Sequence, residues 1–146
     1  MFVIEYVLGF AMDPAERVVA LIRKRRPDWQ AGRWNGIGGH REGFELPLDA
    51  MVREFEEETS VKTYREQWRK VGVMREVNAW NCHVYTTREA PLNLIQSSTN
   101  EVVALHRIEA LHELDCMANI QALVHLCRIK PDTPKNTIPQ FELVYK

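Results

Sequence analysis

An α/β fold with interleaved strands and helices is the architecture this chain predicts, and three observations carry it. Short runs rich in Val and Ile alternate with turn residues, two longer stretches carry apolar residues at helical spacing, and the two kinds of segment are mixed along the chain. Strands are expected near Phe2–Phe10 and Arg17–Arg23. A helix should cover Pro47–Thr59, because Leu48, Met51, Val52, Phe55 and Thr59 fall on one face and proline suits the first helical turn. Leu46 is a poor residue for capping its start. Further strands are expected near Val71–Val77, Trp80–Thr87 and Glu101–His106. Met117, Ile120, Leu123, Val124 and Cys127 then place a second helix over about Met117–Ile129. After a loop spanning Lys130 to Pro139, Phe141–Tyr145 alternates like an edge strand.

With 146 residues and 45% hydrophobic content, residues 1–146 suffice for one domain with a core. The net charge of −1 supplies no field to attract nucleic acid polymers or membranes. No apolar run approaches the roughly 18 residues that cross a bilayer. MFVIEYVLGF lacks a basic leader and carries Glu5, so it does not read as a signal peptide. Cys82, Cys116 and Cys127 are odd in number and show no CxxC spacing, so reduced thiols and a cytoplasmic location are the expectation. Cys82-His83 reads as a strand position, because no ligands stand at metal-binding spacing around it.

Residues 38 to 61, GGHREGFELPLDAMVREFEEETSV, carry the chemistry. On a helix Glu54, Glu57 and Glu58 fall within an arc of about 100°, while Glu56 points about 160° away from Glu54. Like charges at these spacings repel by a few tenths of a kcal/mol per pair. A helix that nevertheless groups them is suited to a hard divalent cation such as Mg²⁺, which takes oxygen ligands and keeps several waters. The bland alternative, a solvated acidic face, fits a plain glutamate run. It does not account for the glycine pair Gly38-Gly39 upstream or the apolar stripe beside the acidic arc.

The same stretch resembles the signature of the Nudix hydrolases, G-x5-E-x7-R-E-U-x-E-E-x-G-U, where U is a bulky apolar residue. Gly39, Glu45, Arg53-Glu54, Phe55, Glu57-Glu58 and Val61 stand at the required spacing, and only Ser60 departs, where glycine is expected. That glycine ends the helix in a left-handed conformation, which serine adopts at a cost of about 1 kcal/mol. The resemblance implies an α/β/α sandwich around a mixed sheet and an enzyme that cleaves a diphosphate linked to another group. It implies Mg²⁺, with Mn²⁺ as a substitute, held by Glu57, Glu58, Glu54 and the Gly39 carbonyl. Glu54 is alternatively the group that activates water, Arg53 braces the glutamates, and Glu45 fixes the loop before the helix. A late acid is also implied, and Glu101, in the segment Asn100 to Leu111, corresponds to it as metal ligand or base; a surface or capping glutamate is the alternative.

On the substrate side, Ala31-Gly32-Arg33-Trp34-Asn35-Gly36-Ile37-Gly38-Gly39 resembles the approach to the box in the MutT-like nucleoside triphosphatases that act on oxidised purines. By that resemblance Asn35 hydrogen-bonds the base, since an amide both donates and accepts. Trp29 is a candidate to stack on the base, with core or lid packing as the alternative. Arg23, Lys24, Arg25 and Arg26 are candidates for distal phosphates, against a solvated basic loop. The acidic pair that discriminates oxidised purines in that branch is missing after Glu109; His112, Glu113 and Asp115 are substitutes at uncertain register. The runs that mark NADH-cleaving and coenzyme A-cleaving members are missing as well. The leading reading is Mg²⁺-dependent hydrolysis of a nucleoside triphosphate, including oxidised or non-canonical dNTPs, to the monophosphate and pyrophosphate. The alternatives are another nucleoside diphosphate-linked substrate, such as a sugar nucleotide or dinucleotide, and a non-catalytic nucleotide-binding regulator. The regulator reading predicts erosion of glutamates that are all present. A homodimer is common in the family and stays open.

Overall fold

A computed structural model of the protein describes residues 2–130 and 141–146. Among the described residues, eight strands and two α-helices follow in the order β1 (Ile4–Ala11), β2 (Val18–Arg23), β3 (Trp34–Asn35), β4 (Ile37–His40), α1 (Pro47–Thr59), β5 (Arg69–Glu76), β6 (Trp80–Thr87), β7 (Val102–Arg107), α2 (Ile120–Cys127) and β8 (Phe141–Tyr145). Five strands form a mixed sheet in the order β4-β1-β6-β5-β8, in which β1 pairs with β6, and β5 with β8, in parallel. A second sheet has the order β3-β2-β7, antiparallel throughout. Among the described residues no helix is long and apolar enough to cross a membrane.

Strand alternation builds two cores from the same strands. In β1, Leu8 and Phe10 point to one face while Val7 and Ala11 point to the other; in β2, Val19 and Leu21 oppose Ala20 and Ile22. One cluster packs under α2 through Ile120, Leu123, Val124 and Cys127. The other packs under α1 through Ala50, Met51 and Phe55, with the Phe55 ring edge-on to Trp68 at 5.2 Å. Helices thus cover both faces, giving the expected α/β layering.

The first helix begins and ends as its sequence predicts. Pro47 opens α1 without a side-chain cap from Leu46, and Ser60 closes it in the left-handed region at φ 63°. The second helix is shorter than its apolar spacing suggests. Asn119 takes φ 74°, so helical backbone cannot pass through it and α2 starts at Ile120 instead of Met117. At its other end Arg69 and Arg88 both donate to the Cys127 carbonyl, at 3.1 and 2.8 Å. The short strands β3 and β4 have no counterpart among the expected strands. β1 starts at Ile4 and β5 at Arg69, shifts of about two residues from the expected positions. β8 does lie at a sheet edge. From residue 131 onward, the loop expected over Lys130 to Pro139 lies outside the described residues.

Gly38 sets how closely β4 can approach β1. A Cβ there would stand 1.9 Å from the Val7 carbonyl oxygen, a collision with backbone that no rotamer relieves. Gly38→Ala should therefore destabilise the fold by about 3 kcal/mol. Denaturant unfolding checks this, and a loss below about 1 kcal/mol would show that the strand pair can relax.

Candidate metal and active site

The site is assembled where β4 turns into α1. Gly39 pairs with Val7 in β1, and the chain then passes through the loop 41–46 into the helix. Arg53, one and a half turns into α1, reaches back over this junction. Its Nη2 donates to Glu45 Oε1 at 2.7 Å and to the His40 carbonyl at 2.9 Å, and its Nε shares the Glu45 carboxylate at 3.2 Å. Its Nη1 donates to Glu54 at 3.0 Å and to Glu57 at 3.2 Å. Glu42 stands 3.6 Å from the same nitrogen. One planar fork therefore ties strand end, loop and helix together. Its hydrogen bonds hold Glu45 below the usual carboxylate range, and Glu45 in turn leads the groups that raise the arginine's own proton affinity. The bracing role expected of Arg53, and the loop-fixing role expected of Glu45, match these contacts.

Glu54 and Glu58 are different. A Cβ on Gly39 would lie 2.6 Å from Glu54 Oε1, so a residue without a side chain lets this carboxylate settle on the strand. Burial raises the Glu54 pKa above its ordinary value despite the pull of Arg53. Glu58 is only 8% exposed, and its Oε2 has no hydrogen-bond partner. Burial, with Glu54 and then Glu101 adding repulsion, pushes its carboxyl up to about 8. Glu57 remains half-exposed at the rim, and Glu56 is exposed and away from the cluster.

Glu101 precedes β7 and is not a surface residue. It accepts from the Arg25 backbone amide at 2.6 Å and from Lys24 Nζ at 3.1 Å, with only 16% of its side chain exposed. Both Lys24 and Glu101 act on the charge of Glu58, so β2, the segment before β7 and α1 meet here. Lys24 is thus paired with Glu101 beside the acidic cluster instead of standing in a solvated basic loop. Local spacing gives no signal for this contact, since the partners stand 77 positions apart.

The other expected substrate residues divide between the two faces. Arg23 is the last residue of β2 and Lys24 lies just beyond it, and the two have different partners. The Arg23 guanidinium lies 5.6 Å from the Trp34 ring centroid, a cation–π contact on the α2 side. Trp34 also meets His106 edge-on at 4.2 Å. Asn35 points the other way; its Oδ1 accepts from the Gly36 amide at 2.8 Å, and its Nδ2 stands 3.5 Å from Gln30. Trp29, on a 3₁₀ turn over Asp28–Gln30, is 64% exposed, which excludes the core-packing alternative. Two cavities of about 550 and 500 Å³ lie beside Glu16 and the α2 end of the molecule, and none of these residues lines them.

Among the described residues no three acidic, histidine or cysteine side chains form a closed metal-ligating group. Arg53 engages oxygens of Glu45, Glu54 and Glu57 but not of Glu58. The donor set nevertheless fits a hard divalent cation. An unpartnered buried carboxylate oxygen on Glu58 is costly without a positive partner, and Glu54 and Glu101 stand close enough to raise its pKa. Mg²⁺ keeps several waters and needs no complete protein cage. Glu58, Glu54, Glu57, Glu101 and the Gly39 carbonyl are the groups able to hold it.

The raised carboxyl gives a pH signature for protein kept metal-free by a chelator. Glu58 titrates near 4.5 when unfolded and near 8 when folded. Between those values the folded state holds more protons, so stability is full below the lower value and falls as pH rises through the window. Unfolding at about pH 5 and about pH 8 should show the decline, and Glu58→Gln should flatten it. A slope unchanged in the variant would place the titration elsewhere.

Comparison with known proteins bears on the family and the fold. The NUDIX domain model matches residues 5–125. A MutT structure from work on the Aliivibrio salmonicida and Vibrio cholerae proteins superposes with a TM-score of 0.72 at 19% identity, covering 86% of this chain and 98% of that one. The MutT protein of Bacillus halodurans gives 0.65 at 19% identity over 84% and 80%. The ORF135 protein of E. coli gives 0.68 at 21% identity over 86% and 89%. No curated protein sequence matches the chain. With the family model spanning most of its length, and the arginine-braced glutamates in place on α1, the chain belongs to the Nudix hydrolase family.

Proposed function

We propose that the protein hydrolyses a nucleoside triphosphate in a Mg²⁺-dependent reaction, releasing the monophosphate and pyrophosphate, with oxidised or non-canonical dNTPs among the candidate substrates. The observation that carries the reading is the buried Glu58 carboxylate, one oxygen of which has no hydrogen-bond partner, close enough to Glu54 and Glu101 for their charges to raise its pKa. A bound divalent cation would supply charge neutralisation for the phosphate chain and a more acidic water.

The protein's own groups divide the remaining work. Glu57 and Glu58 hold the cation from α1 and Glu101 holds it from the segment before β7. Glu54 either joins them or accepts the proton of the attacking water, a task that suits a carboxylate of raised pKa. Arg53 keeps Glu54 and Glu57 at their positions while the charge at the site changes. Lys24 brings an ammonium next to the same carboxylates, and phosphate oxygens match it chemically. Asn35 and the exposed Trp29 supply an amide and a ring for a base. The resemblance of residues 31–39 to the approach to the box in MutT-like nucleoside triphosphatases supports a triphosphate substrate. Arg23, whose guanidinium lies 5.6 Å from the Trp34 ring centroid, is given no role in this scheme.

A panel of NTPs, dNTPs, oxidised dNTPs, sugar nucleotides and dinucleotides with Mg²⁺, scored by product identity, tests the reading. Monophosphate and pyrophosphate from one or more triphosphates is the expected result; cleavage confined to the linked diphosphates would reject the triphosphate assignment. Glu57→Gln and Glu58→Gln should each lower kcat by at least about 100-fold while circular dichroism stays native. Near-normal turnover in both would reject their role at the cation.

A further inference from the structure

Ser60 is the one departure from the box pattern, and the structure shows its side chain in use. Its backbone takes the left-handed conformation, φ 63° and ψ 9°, that glycine adopts without cost. Its hydroxyl contacts the Ser98 hydroxyl, a bond that glycine cannot make. Two backbone bonds run beside it: Ser98 N donates to the Glu58 carbonyl at 3.2 Å and Gln96 N to the Thr59 carbonyl at 2.9 Å. The segment 96–98 therefore satisfies carbonyls that the last turn of α1 leaves open.

Three residues past Ser98 comes Glu101, and three residues of chain span at most about 10 Å. Ser97 Oγ accepts from the Val103 amide at 2.9 Å, and Thr99 Oγ1 accepts from the Glu101 amide at 3.1 Å, so the short span is held at both ends. Glu58, a carboxylate of the site, is itself the residue whose carbonyl receives Ser98. We propose that Ser60 is a positioning residue, whose hydroxyl clasps Ser98 and so holds the segment 97–101 against α1 with Glu101 facing Glu58. This rests on the reading of Glu58 and Glu101 as cation-holding groups. Both serines are exposed, and a hydroxyl–hydroxyl bond open to water adds little net stability. The clasp therefore acts on geometry, which separates it from an ordinary structural contact.

The test is Mn²⁺ binding to the whole chain, read from the electron paramagnetic resonance of free Mn²⁺, alongside thermal melting. Ser60→Gly should melt at or above the wild type, because glycine relieves the left-handed backbone. Its Mn²⁺ affinity should nonetheless fall by about tenfold, the scale of losing a group that orients a ligand. Ser98→Ala should weaken binding equally, and the double variant no further than either single one. Wild-type Mn²⁺ affinity in Ser60→Gly overturns the clasp, as does weakened affinity accompanied by a lower melting temperature. Glu101→Gln separates the two layers. If it binds Mn²⁺ like the wild type, or if the wild type binds none, the cation-holding reading fails and takes the clasp with it. If it is weakened while Ser60→Gly is not, the clasp alone is wrong.

Discussion

Packing like charges together without a built-in counter-charge is unfavourable, and the Arg53 guanidinium is what makes the acidic end of α1 tolerable. It gives hydrogen bonds to Glu45, Glu54, Glu57 and the His40 carbonyl from a single rigid plane. A lysine ammonium, a point charge on a flexible stem, could not make this set together. The arrangement also joins three pieces of backbone, so the direction in which α1 leaves β4 and the placement of its carboxylates are one constraint. Glu58 is the carboxylate the fork does not reach, and it carries the unpartnered oxygen. The site is thus an acidic helix that is neutralised at its rim and uncompensated at its centre.

Strand alternation then decides which neighbours can take part. At the end of β2, Arg23 turns to Trp34, while Lys24 just beyond the strand turns to Glu101. In β3, Trp34 packs on the α2 side while Asn35 pairs across from Ile22, a residue of the α1-side core. Residues adjacent in the chain therefore serve different layers. The basic run Arg23 to Arg26 is divided accordingly, with Arg23 over the Trp34 ring while Lys24 and Arg25 contact Glu101 and the Asn100 carbonyl.

What was legible in the sequence follows the range of the interactions concerned. The bounds of α1 emerge correctly because proline, the apolar stripe and the box residues are all local and agree. The left-handed end at Ser60 was equally readable, since the motif position demands it. Apolar spacing overstates α2 because it ignores backbone, and the left-handed Asn119 delays the helix start by about one turn. β3 and β4 were missed because Trp34 to His40 is short and rich in glycine, with no alternation to reveal it. The pairing of Lys24 with Glu101, and of Ser60 with Ser98, joins distant segments, and spacing within either segment says nothing about it.

The parallel pairing of β1 with β6 has a consequence for how the molecule comes to exist. Glu5 and His83, bonded across that pair, stand 78 positions apart, and the entire box lies in the chain between them. A parallel pair needs such a crossover, and contacts of long sequence separation form slowly because loop closure must precede their reward. Until β1 is embedded between β4 and β6, Gly39 leans on an isolated two-stranded pair, which is marginal in water. The glutamates are present from the first moment of synthesis, but their arrangement is a product of the finished sheet. A cation that recognises the arrangement stabilises the completed fold alone and draws the equilibrium towards it.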